Sequence, residues 1–337
     1  MKKNNRYLTK TRFNLASECP TKLFYTGKKE FTNKKNDDDF LLALAEGGFQ
    51  VGELAKYYHP GGYSVDSLDI NQAINETKEL LLNDKVIIYE AAFQFSHYVI
   101  RVDVLVKNGN NIELIEVKAK SFKSFDKFYN ASGFISTSWL PYLNDVAFQL
   151  WVMQQAYPEF LITPYLMLAD KNKKTSINGL NQFFKIKKDN NRKRVIVDNA
   201  LDIHQLGEKI LIKIDVGDFV QMIYDGKSNK KADLSKNFID RIEEYGKYYN
   251  DNQRYPISLG LHCKKCEFKD DSDMKKSGYF TCWNNTFPQF DPQAPHVFDI
   301  WNYRKSQKII DFGLYKMKDI YSSEFVDTLN DRQYLQV

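Results

Sequence analysis

The stretch that decides the fold is Tyr89–Ser121, YEAAFQFSHYVIRVDVLVKNGNNIELIEVKAKS. It breaks into three runs suited to extended structure. Glu90–Phe95 is apolar and aromatic, Tyr98–Val106 is rich in β-branched residues, and Ile112–Lys118 follows. Such side chains fit the pleated, half-buried surface of a sheet. The link Lys107–Asn111 carries Asn and Gly, which accept the backbone geometry of a hairpin turn. Side chains alternate faces along a strand, so Val99, Arg101, Asp103 and Leu105 share one side, and Ile100, Val102, Val104 and Val106 the other. Glu116 and Lys118 share a face, opposite Val117. Pairing the runs is expected to bring Asp103, Glu116 and Lys118 together at one end of a sheet.

That set has a chemical use. Two neighbouring carboxylates repel unless a cation sits between them. A hard divalent ion such as Mg²⁺ takes one or two carboxylates and keeps several waters. The ion stabilises charge on a phosphoryl oxygen, and a lysine beside it can orient or help deprotonate a water. This is a layout for hydrolysing a phosphodiester.

The pattern resembles the PD-(D/E)XK nuclease superfamily. Asp103 stands for the first acid, Glu116-Val117-Lys118 for the E-x-K, and Glu90 for the acidic residue on the preceding strand. The resemblance implies a restriction-endonuclease-like α/β core with a mixed central sheet flanked by helices. It also implies Mg²⁺ or Mn²⁺ at Asp103 and Glu116, with Glu90 as a further ligand, and Lys118 positioning the attacking water.

Composition sets the frame. The 337 residues are 43% apolar and 15% aromatic, ample for a packed core. The net charge of +5 permits a nucleic-acid partner without demanding one. The basic residues are clumped at Lys28–Lys35, Lys118–Lys127, Lys171–Lys174, Lys185–Arg194 and Lys227–Lys231, beside Tyr and Phe, a mixture suited to phosphate contact and base stacking. No apolar run reaches the roughly 18 residues of a membrane span, and the basic N-terminus lacks an apolar segment behind it. A cytoplasmic protein is expected, with no membrane partner, and in that reducing compartment the four cysteines are not expected to form disulfides.

In chain order, Thr9 or Thr11 caps a short helix with Phe13 and Ala16 inward. A longer helix runs from about Phe40 to Tyr58, is interrupted or closely packed at Gly47-Gly48, and stops at His59-Pro60-Gly61-Gly62. The phrase EGGFQVGELAKYYHPGG resembles the first helix of RecB-like nucleases, which implies His59 as a metal ligand and a structural part for Glu46. Asp69–Leu82 and Tyr142–Tyr157 read as helices, Leu161–Leu168 as a strand, and Phe183–Lys188 with Arg194–Val197 as a hairpin around Asn190-Asn191. Ile210–Asp215 is a strand leading to a helix that ends at Gly226, and Leu234–Tyr249 is a helix. RecB-like nucleases carry Q-x-x-x-Y after the E-x-K strand. Gln149 matches its first residue, which implies a hydrogen bond to the lysine or substrate, but Met153 stands at the tyrosine position.

Cys263 and Cys266 have C-x₂-C spacing, Cys282 follows, and Cys19 is the only other cysteine. The set reads as metal ligands or as core thiols. One cysteine near the start and three near the end resemble the iron–sulfur branch of RecB-like nucleases, which includes CRISPR-associated exonucleases and the AddB-type nuclease domain. There the resemblance implies a [4Fe–4S] cluster tying the chain's ends together. A structural Zn²⁺ site is the alternative. The expected organisation is a nuclease domain over residues 1–285 and a linker with a short helical tail over 286–337. The expected activity is metal-dependent hydrolysis of DNA, on single strands or duplex ends. A DNA-binding scaffold of the same fold with a degenerate site is the competing reading, and an RNA-directed nuclease is a third.

Overall fold

The computed structural model describes residues 6–189, 192–198, 201, 206–228, 236–288 and 290–337. The chain forms two compact units. The first comprises Met1–Asn14 and Asp39–Asn252, and the second Leu15–Asp38 and Gln253–Val337.

The first unit is an α/β structure on a mixed six-stranded sheet. Its strands are β1 (Tyr63–Ser64), β2 (Lys85–Phe95), β3 (Tyr98–Asn108), β4 (Asn111–Phe122), β5 (Leu161–Asp170) and β8 (Leu211–Asp215), in the order β1-β2-β3-β4-β5-β8. The three strands expected from Tyr89–Ser121 form an antiparallel meander at its centre. β4 and β5 run parallel, which demands a crossover connection. Helix α5 (Leu140–Ala156) lies within that connection. Leu143–Met153 are buried on every side; most are apolar, as expected of a helix in the core, but Asn144, Asp145 and Gln149 are buried with them. The strand β8 returns antiparallel to β5.

Helix α3 (Asp39–Tyr58) runs unbroken through Gly47-Gly48. Leu54, Ala55 and Tyr58 pack with Val104, Ile115 and Met167 in one apolar cluster. A Cβ added at Gly47, Gly48 or Gly52 would meet nothing within 4 Å. Close packing therefore does not explain these glycines, although each costs a helix about 1 kcal/mol against alanine. Helix α4 (Ile70–Leu81) packs beside β2, where Thr77 Oγ1 accepts the Ala92 N–H at 2.9 Å. The hairpin β6 (Phe184–Asp189) and β7 (Arg192–Val197) forms a separate two-stranded sheet. Its Asn190-Asn191 turn lies outside the described residues, as does Leu234, expected to begin the helix that is described as α7 (Phe238–Asn250). Between hairpin and α7, α6 (Gly217–Tyr224) follows β8.

The second unit joins two distant pieces of sequence. Its helices are α2 (Lys22–Tyr25), α8 (Gly278–Thr286), α9 (Ser306–Asp311) and α10 (Asp331–Tyr334). Backbone bonds from Thr32 to Lys276 and from Lys34 to Glu267 fasten the pieces together. The Lys22 ammonium is buried 2.6 Å from the Glu267 carboxylate. Residues after 285 were expected to be linker and tail. Instead Phe290, Val297, Phe298, Ile300, Tyr303 and Ile309 share an apolar core with Cys263 and Trp283. The Pro and Asn content of that stretch hides its core residues, because short turns space them without helical or strand periodicity. Among the described residues no helix is long and apolar enough to cross a membrane.

Candidate functional site

Asp103 and Glu116 meet at the end of the β3–β4 ladder. The ladder pairs Val104 with Ile115, and just beyond it Asp103 Oδ2 accepts the Val117 N–H at 2.7 Å. A carboxylate thus replaces a backbone carbonyl where the strands part. On the other side of β3, Tyr89 pairs with Val104 and Ala91 with Val102, which leaves Glu90 facing Asp103. Glu90 has φ +58°. The left-handed region costs a non-glycine residue about 1–2 kcal/mol, and such strain is characteristic of functional sites.

Glu116 is almost wholly buried, at 1% exposure. Its Oε1 accepts from Lys10 Nζ at 2.8 Å and lies 2.7 Å from Lys118 Nζ. Its Oε2 accepts from Lys10 Nζ and from Gln149 Nε2, each at 2.7 Å. Lys118 also lies 2.9 Å from Asp145 on α5, and Asp145 accepts from the Asn14 side chain at 2.7 Å. The Lys10 ammonium stands 3.8 Å from Asp103. Gln149 therefore binds the acid of the E-x-K rather than its lysine, and its Oε1 is buried with no partner among the described residues.

The electrostatics follow from crowding. Burial, and then the neighbouring Glu116 and Glu90 charges, hold Asp103 well above the usual carboxylate range, against the pull of Lys10. Burial pushes Glu116 the same way, but Lys10 and Lys118 outweigh it and hold that carboxyl low. Burial works to discharge Lys118, yet Glu116 and Asp145 outweigh it and keep the ammonium charged. Lys118 thus stands as a charged donor to Glu116 and Asp145.

These groups open onto a cleft of ≈ 820 Å³. Glu90, Asp103, Glu116 and Lys118 line it, as do Gly48, Gly52 and Glu53 of α3 and Arg194 of the β6–β7 hairpin. His59 is not one of its lining residues. The end of α3 sets His59 where burial and then Lys213 lower its pKa, with Glu113 opposing. Tyr89 donates to its backbone carbonyl. Glu53, one and a half turns earlier, faces the cleft instead.

Sequence reading overlooked Lys10 and Asp145. Asp145 lies one turn before Gln149, on the same side of an otherwise apolar helix, and that i,i+4 spacing was a usable signal. Lys10 gave a weaker one: it opens helix α1 (Lys10–Glu18), where the helix dipole disfavours a positive charge.

In the second unit, Cys19, Cys263, Cys266 and Cys282 line one cavity of ≈ 20 Å³. All four are free thiols. Burial pushes the Cys263 thiol up to about 12 and those of Cys266 and Cys282 up to about 11. The Tyr25 hydroxyl lies 3.1 Å from Cys282 Sγ. Four thiols around one cavity are a suitable donor set for a soft metal centre. The space suits one water-sized body, so a cluster would require the walls to part. Among the described residues, no three His, Cys, Asp or Glu side chains come together as a ready-made metal site.

Comparison of the chain with protein-family models, with curated proteins and with solved structures finds no match.

Proposed function

We propose that the first unit is a metal-dependent deoxyribonuclease with a restriction-endonuclease-like core. The observation that carries this reading is the convergence of Asp103 and Glu116 on one ammonium, 3.8 and 2.7 Å away, beside Lys118 at the end of paired strands. Four carboxylates, Glu90, Asp103, Glu116 and Asp145, surround two ammonium groups, Lys10 and Lys118. A divalent ion would supply the positive charge that lets Asp103, held high by burial and its acidic neighbours, ionise beside Glu116. Asp103 and Glu116 would hold Mg²⁺ or Mn²⁺, with Glu90 in reach from the facing strand. When bound, the ion supplies Lewis-acid stabilisation of charge on the phosphoryl oxygen.

The protein's own groups account for the rest of the hydrolysis. A water oxygen forms a bond to phosphorus while the bond from phosphorus to the sugar oxygen breaks. Lys118, held charged by Glu116 and Asp145, donates a hydrogen bond that orients the water or steadies the phosphoryl group. The water's proton passes to a cleft carboxylate or to solvent. Gln149 fixes the Glu116 carboxylate from behind. The bare helix wall at Gly48 and Gly52 leaves room for a strand, and Lys56 and Arg194 line the same cleft, charges suited to phosphate contact. Single-stranded DNA or duplex ends are the proposed substrates.

We further propose that the four thiols of the second unit hold a [4Fe–4S] cluster, with Cys19 bound to the same centre as Cys263, Cys266 and Cys282. A single Zn²⁺ is the second reading, favoured by the small volume of the cavity. The activity is tested by incubating the full chain with end-labelled single-stranded and blunt duplex DNA in Mg²⁺, Mn²⁺ or EDTA. Cleavage in either metal and none in EDTA supports the nuclease. Retention of DNA that survives EDTA, with no cleavage in any metal, supports the scaffold reading instead.

A further inference from the structure

The Glu116 carboxylate has no vacancy. Lys10 touches both of its oxygens, Lys118 one, and Gln149 the other. These three groups make four contacts, which fill the roughly four lone-pair positions of a carboxylate. A metal ion can reach Glu116 only if one donor leaves. Lys118 is tied to Asp145 as well, and Gln149 sits fully buried on α5. Lys10 is the donor that lies between Glu116 and Asp103, on a flexible side chain that is 21% exposed and lines the open cleft.

From this we infer that Lys10 is a built-in counter-ion: its ammonium holds the Asp103–Glu116 pair together in the metal-free protein, and a divalent cation must displace it to bind. The inference rests on the metal-dependent reading of this cleft and adds a residue that the E-x-K pattern does not contain. Its physical basis is exchange of one cation for another at the same oxygens. Without either, Asp103, Glu116 and the nearby Glu90 face one another while Lys118 stays on Glu116 and Asp145, an arrangement that favours opening or protonation. The lysine thus preserves the pair's geometry at the cost of metal affinity. Once displaced, the four-carbon stem swings into a cleft wide enough to receive it, where the ammonium can meet a phosphate. Arginine at this position would compete better, because its planar fork matches both carboxylate oxygens.

The test is Mn²⁺ binding, read from the electron paramagnetic resonance signal of free Mn²⁺, on the full chain without DNA. Wild type, Lys10→Met, Lys10→Arg and Glu116→Gln are compared. Lys10→Met is expected to bind Mn²⁺ about tenfold more tightly than wild type, the scale of losing a charged hydrogen-bond competitor. Lys10→Arg is expected to bind more weakly than wild type, roughly threefold or more on the same scale. In EDTA, Lys10→Met should melt below wild type, and saturating Mn²⁺ should raise its Tm by more than it raises that of wild type. Equal or weaker Mn²⁺ binding by Lys10→Met overturns the exchange while leaving the metal reading intact. Should Lys10→Met fail to fold, tighter binding by Lys10→Arg overturns it as well. Wild-type Mn²⁺ binding that Glu116→Gln does not diminish removes the metal reading itself, and the exchange with it.

Discussion

The carboxylate cleft of the first unit and the cysteine cavity of the second both gather groups that repel when charged, and they relieve that repulsion differently. In the cleft, Lys10 and Lys118 hold Glu116 ionised, while burial and its acidic neighbours hold Asp103 above the usual carboxylate range. Thiols ionise near about 8.5. Burial lifts Cys263 to about 12 and Cys266 and Cys282 to about 11, so these three remain neutral. The cleft is therefore held in shape by its own ammonium groups. The cavity is held by packing and by the Lys22–Glu267 pair. On the proposed reading, a metal entering the first would exchange with a lysine, whereas one entering the second would exchange with protons on sulfur.

The contrast can be broken at several points. The largest effect is expected at the thiols. Cys263→Ser should abolish bound metal in the second unit, measured by elemental analysis of anaerobically purified protein. About four irons per chain in the parent protein supports the cluster and about one zinc the alternative; neither metal contradicts both. DNA cleavage by that variant reports separately on whether the cleft works without the metal.

A smaller change is expected at the buried ion pair. Lys22→Met removes the buried partner of Glu267 and leaves that carboxylate, 2% exposed, only the half-exposed Lys35 ammonium at 3.3 Å, a loss of up to about 3–5 kcal/mol by urea unfolding at pH 7. Burial works to raise the Glu267 pKa, but Lys22 outweighs it and the carboxyl is held below its ordinary value. A depressed acid contributes its stability above the ordinary carboxylate pKa and loses it as pH falls through the folded value. Wild type and Lys22→Met should therefore converge in stability under acid conditions. A constant difference across that range contradicts the pair's role.

Gln149→Ala should have the smallest consequence. It removes one of the three donor groups around Glu116 without touching substrate. Partners that orient a metal ligand are typically worth about 10–100-fold, and a fall of that size in cleavage rate, with the fold retained, is expected. An unchanged rate would show that Glu116 needs no support from α5.

Much of the cleft could be read from Tyr89–Ser121 because strands have a period of two and hairpins are local. Asp103, Glu116 and Lys118 fall on shared faces without knowledge of any other part of the chain. The sequence-distant partners were harder. Asp145 was available from its spacing to Gln149. Lys10 was marked only by its place at the start of α1, where the helix dipole disfavours a cation, and that does not tell an ammonium turned into a cleft from one in water. His59 shows the reverse limit: a histidine at a helix end near an acidic phrase invited a ligand's role, but the helix's rotation presents Glu53 to the cleft and sets His59 beside Lys213. In the second unit, four cysteines pointed to a common site, and all four do line one cavity. The core beyond residue 285 was concealed because Phe290, Val297 and Ile309 are spaced by turns, which carry no periodic signal.

The most direct test of the central claim compares wild type with Glu116→Gln on labelled single-stranded DNA in Mn²⁺. Gln keeps the shape of the side chain and removes the charge that would hold the ion. Wild type should degrade the DNA, and the variant should be slower by roughly a thousandfold, the upper range for losing one electrostatic element of an active site. Equal rates would contradict the account.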